Sequence, residues 1–279
     1  MPARAIDTHV HIWDRTRGET FIAETPFPSL TGKAFLPGDL VPVLADTGAE
    51  SAVLVHGPAT VKHALHCLDL WRQHDVFRSV IGWIDLRDPN HAAQLAEQAR
   101  HPAFRGLRFT PLLDPDPEGY LRSDAASQTC AALRDVDAIV EVLAPQPLFD
   151  AVAALATAHP RLICVLAHFG LPDGDPARFA TWRDAMARLA DLPNLRVKLS
   201  GLPLTGDLAR DRELASRHVT ALLDLFGPER LLYASNWPVA TALATPRHWR
   251  DLLDDILQTA GVAEKDVAAI YRDNALTLY

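Results

Sequence analysis

The residues best equipped for chemistry open the chain, in Asp7-Thr8-His9-Val10-His11. On an extended strand successive side chains alternate faces, so Asp7, His9 and His11 are expected on one face and Ile6, Thr8 and Val10 on the other. Two imidazoles two residues apart converge on one small volume. That suits a metal ion or a substrate oxygen that must be polarised; a pair of surface or hydrogen-bonded histidines is the alternative. Further along, His56, Trp83, Arg108, Glu141, His168, Lys198 and Asn236 each stand within or at the end of an apolar run. A buried arginine calls for an anion: Arg108 suits a substrate carboxylate, or an internal ion pair with Glu141. Lys198 shares that ambiguity, and His56 reads as a ligand or as a hydrogen-bonded wall. Asp7 is expected one layer below His9, orienting an imidazole.

Eight short apolar segments are positioned to carry these residues. They are the stretch around 5–11, then 51–56, 79–84, 104–109, 138–143, 162–168, 195–200 and 230–235. Each is followed by a helical pattern: 37–48, 60–74, 88–100, a helix ending near 134, 146–159, 176–190, 210–226, and a closing pair at 247–259 and 264–277. Continuous apolar runs are expected of parallel strands buried on both faces. Eight strand–helix units in 279 residues fit one (β/α)8 TIM barrel spanning 1–279, with long loops after the first and fourth strands (15–38 and 110–123). A doubly wound open sheet is the alternative, but the glycine-rich phosphate turn it usually carries after its first strand is missing. In a barrel the active site lies at the C-terminal ends of the strands. Every expected strand supplies a polar residue there, which points to an enzyme or a ligand binder.

Composition narrows the partners. Apolar residues make up 48% and charged residues 22%, with a net charge of −8. That balance gives no general attraction to nucleic acid or anionic membrane. The N-terminus carries no secretory pattern, no run reaches transmembrane length, and Cys67, Cys130 and Cys164 form no metal or disulfide framework. A cytoplasmic protein with reduced thiols is expected. Covalent catalysis has little support without a nucleophile elbow, P-loop or suggestive Cys–His arrangement.

Six segments, taken in order, resemble the amidohydrolase superfamily in its amidohydrolase-2 branch. They are Asp7-Thr8-His9-Val10-His11, Arg105-Gly106-Leu107-Arg108, Ala167-His168-Phe169-Gly170, Val197-Lys198-Leu199-Ser200-Gly201, Ser235-Asn236-Trp237-Pro238 and the closing Tyr271-Arg272-Asp273-Asn274. The nearest likeness is to 2-pyrone-4,6-dicarboxylate lactonase and the sugar-acid lactonases. The resemblance implies a hydrolase that opens a lactone or related ester of a carboxylated, anionic small molecule. It implies that His9, His11 and His168 hold one zinc-type divalent metal or polarise the carbonyl directly, metal-independent members being known. Arg108 would contact the substrate carboxylate. From their places at the strand ends, His56, Glu141, Lys198 and Trp83 are further candidates for the substrate site. Dimers are common among such barrels.

The sequence departs from the family at one position. Where Ser-Asp-Trp-Pro is expected, it reads Ser235-Asn236-Trp237-Pro238. A neutral amide cannot take a proton from water near neutral pH. Another group must then act as base (His168, His11 or Glu141), or the substrate is reactive enough to need mainly electrostatic help, or the barrel binds without turnover. A metal-dependent non-oxidative decarboxylase of the same branch is the second enzymatic alternative.

Overall fold

The computed structural model describes residues 4–19 and 27–279. Eight parallel strands, β1 (Ala5–Val10), β2 (Ala49–Val55), β3 (Phe77–Gly82), β4 (Phe104–Phe109), β5 (Ile139–Val142), β6 (Cys164–Leu166), β7 (Leu195–Leu199) and β8 (Leu231–Tyr233), lie in sequence order in one sheet. The helices are α1 (Pro37–Thr47), α2 (Val61–Gln73), α3 (His91–Ala99), α4 (Pro117–Arg122), α5 (Asp124–Asp135), α6 (Phe149–Ala158), α7 (Phe179–Ala190), α8 (Leu208–Phe226), α9 (Pro246–Thr259), α10 (Glu264–Ala268) and α11 (Asn274–Leu278). This is the expected (β/α)8 barrel. Two details differ from the sequence reading. The long loop after β4 contains α4, and the closing helix is broken between α10 and α11 by a π-helical stretch over Ala269–Asp273. Part of the long loop after β1, including Phe21, lies outside the described residues.

Local chemistry explains the boundaries. Thr60, Ser123, Asp207 and Thr245 each cap a helix by accepting a backbone N–H of its first turn, and Pro246 opens α9 where its missing N–H costs nothing. Gly48, at φ +72°, ends α1 in the left-handed region. Between strands and helices lies the main apolar layer, and a second cluster fills the barrel itself: Ile6, Val53, Ile81, Ile139, Val165 and Leu232. Leu278 and Tyr279 join that inner cluster.

The first strand does not alternate evenly. Asp7 is level with Ala52 and Val10 with Leu54, so three residues on β1 span two on β2. This bulge changes which side chains face inward. Ile6 lies in the barrel interior, which turns Asp7 outward, whereas Val10 packs in the outer layer and His9 and His11 point inward. The expectation that Asp7 shares a face with both histidines is therefore wrong, because it assumed unbroken period two. Asp7 serves the seam between β8 and β1 instead. Its Oδ1 accepts the Ser235 N–H at 2.9 Å and the His9 N–H at 3.2 Å. Thr8 Oγ1 donates to the Tyr233 carbonyl at 2.7 Å, and the His11 N–H donates to the Trp237 carbonyl at 2.8 Å. The backbone bridge Val10–Trp237 completes the closure.

Candidate active site

A cavity of about 440 Å³ opens at the C-terminal ends of the strands. His11, His56, Arg108, His168 and Asn236 line it. Each is placed by its strand: His11 and His56 directly follow β1 and β2, Arg108 stands on β4, His168 follows β6 and Asn236 follows β8. The sequence-based site residues thus divide in two. His9, Glu141, Lys198 and Trp83 do not line the cavity.

Beneath the floor, Lys198 Nζ donates to Glu141 Oε1 at 2.6 Å and to the Thr8 carbonyl at 2.6 Å, both side chains being fully buried. The Tyr279 hydroxyl donates to the same Glu141 oxygen at 2.7 Å. Glu141 and Lys198 form a buried ion pair and do not line the cavity. Trp83 supports the wall from behind, its indole N–H donating to Thr110 Oγ1 at 3.1 Å.

The histidines form a tight group. His11 Nδ1 lies 3.0 Å from the Val55 carbonyl; a carbonyl only accepts, so Nδ1 carries the proton and Nε2 is an acceptor. His9 Nε2 stands 3.1 Å from it, and Lys198 Nζ lies 3.4 Å from His9 Nδ1. His168 packs against His9 with ring centroids 4.4 Å apart, and its Nδ1 lies 2.8 Å from Ser200 Oγ. Burial holds the imidazoles of His9, His11, His56 and His168 well below their ordinary range, and the charge of Arg108 acts in the same direction on all four. All four are neutral at physiological pH.

Arg108 is the only Asp, Glu, Lys or Arg among the described residues lining the cavity. Burial lowers its pKa to about 10, partly offset by Glu141, and the guanidinium remains a cation. Its Nε donates to His56 Nε2 at 3.1 Å and its Nη2 to the His56 carbonyl at 2.8 Å. Nη1 stands 3.3 Å from His9 Nε2, so the fork presents its remaining N–H groups beside the histidine cluster.

Backbone strain gathers at the same mouth. His168, Phe169, Leu171 and Asn236 have φ of +58°, +54°, +51° and +59°, a region unfavourable to residues with a side chain. Gly201, at φ +71°, closes over His168: a Cβ there would meet the His168 Cβ at 2.7 Å. Asn236 Oδ1 is buried with no hydrogen-bond partner among the described residues.

The donor set meets a divalent ion only in part. The 3.1 Å between the two Nε2 atoms is near the ~3.3 Å expected of two nitrogens on tetrahedral zinc. The rest is unfavourable. Arg108 puts a fixed positive charge 3.3 Å from one of those nitrogens, and Asn236 offers a neutral amide where a carboxylate would neutralise the ion. Although His9, His11 and His168 converge, no group of three His, Cys, Asp or Glu among the described residues is placed to hold a metal. These residues do not fit a resident divalent ion.

The amidohydrolase family profile, Amidohydro_2, matches residues 6–279. The chain belongs to this amidohydrolase family and is a hydrolytic enzyme. It is 30% identical over 236 residues to the L-fucono-1,5-lactonase of Burkholderia ambifaria, covering 84% of this chain and 80% of that protein. A crystal structure of an amidohydrolase from Burkholderia multivorans with bound zinc is similar at a TM-score of 0.87 and 26% identity, covering 99% of both chains. The 2,6-dihydroxybenzoate decarboxylase from Rhizobium superposes at a TM-score of 0.64 over 99% of this chain and 98% of that one, but at 15% identity this is a likeness of fold alone. No helix among the described residues is long and apolar enough to cross a membrane.

What the sequence reading missed is the wall. Leu113, Leu143, Leu171, Leu202, Leu204 and Leu243 line the cavity from loops after five different strands. Their signal was leucine recurring just beyond strand ends, in segments without helical or strand periodicity.

Proposed function

We propose that this protein is a lactonase, opening a cyclic ester with water activated by His168. The observation that carries the reading is the meeting, at one cavity floor, of a neutral imidazole held by Ser200 and a buried guanidinium. In this mechanism His168 donates its Nδ1 proton to Ser200 Oγ, which frees the Nε2 lone pair for water. Water attacks the carbonyl carbon as Nε2 takes its proton. The N–H groups of Arg108 stabilise the negative charge that gathers on the carbonyl oxygen. When the intermediate collapses, the ring C–O bond breaks and the imidazolium returns its proton to the leaving oxygen. The product is a hydroxy acid that ionises to a carboxylate and a proton. The anionic end expected of the ligand is, in this reading, the carboxylate that ring opening creates.

The relative's name supports lactone chemistry, and the missing strand-eight carboxylate is met by His168. Asn236 places water through its unpartnered Oδ1. The zinc of the Burkholderia multivorans protein is not carried over, since the donor set here does not fit it.

Proton release from a panel of δ- and γ-lactones, with and without chelator, tests the proposal. Acid release that survives chelation is expected, and His168→Ala should cut kcat by about 10²-fold or more with the circular dichroism unchanged. Because burial and Arg108 lower the pKa of His168, kcat/KM should stay flat through neutrality and fall only on acidification below pH 6.5. Near-normal turnover in His168→Ala, or carbon dioxide as the product, would overturn it.

A further inference from the structure

The cavity is built in two zones. Its floor is polar: His168, Arg108 and Asn236, which the proposed reaction uses, with His11 and His56 beside them. The wall above is carbon, with Leu143, Leu171, Leu204 and Val239 over the floor and Leu113 and Leu243 at the rim. These rim leucines are 41% and 37% exposed, so the mouth of the cavity presents carbon to whatever enters it.

Among the described residues the wall has few polar side chains, and each hydroxyl there already accepts one backbone or indole N–H. Thr110 Oγ1 takes the Trp83 indole N–H, Ser235 Oγ takes the Trp237 backbone N–H at 2.9 Å, and Thr245 Oγ1 caps α9 on the His248 N–H at 3.1 Å. Trp249 donates its own N–H to the Leu199 and Ala234 carbonyls, both at 3.1 Å. A polyhydroxylated ring needs partners for each buried hydroxyl, and a hydroxyl left against leucine forfeits its bonds to water. A hydrocarbon arm needs only area. From this zoning we infer that the substrate is a lactone bearing an apolar substituent, its carbonyl on the histidine–arginine floor and its hydrocarbon along the leucine wall. The inference rests on the lactonase reading and specifies its substrate class. It separates this chain from the sugar-lactone activity named for its Burkholderia ambifaria relative.

The test is a homologous series on the native protein: δ-hexalactone, δ-octalactone and δ-decalactone against L-fucono-1,5-lactone. Burial of each added methylene is expected to raise kcat/KM about fourfold until the wall is filled. The sugar lactone should be the poorest substrate. The double variant Leu113→Asn/Leu243→Asn, confined to half-exposed rim positions, should flatten the chain-length dependence. A series flat with chain length, or a preference for the sugar lactone, overturns the inference and leaves the lactonase reading standing. If none of the lactones is opened, the lactonase reading fails instead. Calorimetric titration with the matching alkyl δ-lactams then decides the wall on its own: affinity rising with chain length upholds it, and affinity independent of chain length refutes it.

Discussion

Asp7 is a carboxylate kept in a place that disfavours its charge. Burial raises its pKa from 3.8 to about 6, against the opposing pull of the Ser235 and His9 N–H groups and of Lys198. Its Oδ2 has no hydrogen-bond partner among the described residues. In the unfolded chain the group ionises near 3.8; in the fold it holds its proton to about 6. Its contribution to stability is therefore fully present below the lower value and is lost as pH rises through the higher one, by about 3 kcal/mol at most. Asp7→Asn keeps an oxygen for both N–H donors and removes the titration. Urea midpoints of the two proteins should diverge in the variant's favour between pH 4 and pH 6, by 1 to 3 kcal/mol in order of magnitude. A difference that does not change with pH would show that Asp7 is ionised at no cost.

Loops and strand ends set the geometry that the residues use. Gly201, following β7, leaves the space into which the His168 side chain fits, and both hold left-handed backbone angles. Gly201→Ala must move His168, strain the turn, or both. A small displacement of a general base is costly, so kcat should fall by about 10²-fold while the protein still unfolds cooperatively. Unchanged kcat would mean that the loop, not the imidazole, gives way. The same elements show what could be read from sequence. Buried parallel strands announce themselves as apolar runs, and a polar residue closing such a run at the catalytic end identified His11, His56, Arg108, His168 and Asn236. The bulge in β1 was not legible, because alternation is a rule about regular strands and one extra residue reverses the phase. Nor was the depth of Glu141 and Lys198. A charge inside a strand looks alike whether it points at substrate or at another charge one layer down. The leucine wall escaped because loops have no period from which a facing direction can be inferred.

Across the whole molecule, the buried charges tie distant parts of the chain. Lys198 on β7 joins Glu141 on β5 and the Thr8 carbonyl on β1, with the Tyr279 hydroxyl on the same carboxylate. Removing one partner strands the other charge in the barrel, so Lys198→Met should cost about 3 to 5 kcal/mol by denaturant titration. Replacing both, in Lys198→Met/Glu141→Leu, should recover most of that loss. A single variant as stable as the parent would show that water reaches Glu141. The charge balance of the barrel has one more consequence. Lys198 and Glu141 cancel, which leaves Arg108 as the one charged side chain lining the cavity among the described residues. The contact that steadies charge on the carbonyl oxygen also holds the finished carboxylate, and a mouth of leucines offers that anion no foothold on the way out. On the proposed mechanism, simple carboxylates, acetate among them, are expected to compete for the same guanidinium, and lactone opening measured with rising acetate checks this: a rate indifferent to acetate would show that Arg108 does not hold the carboxylate.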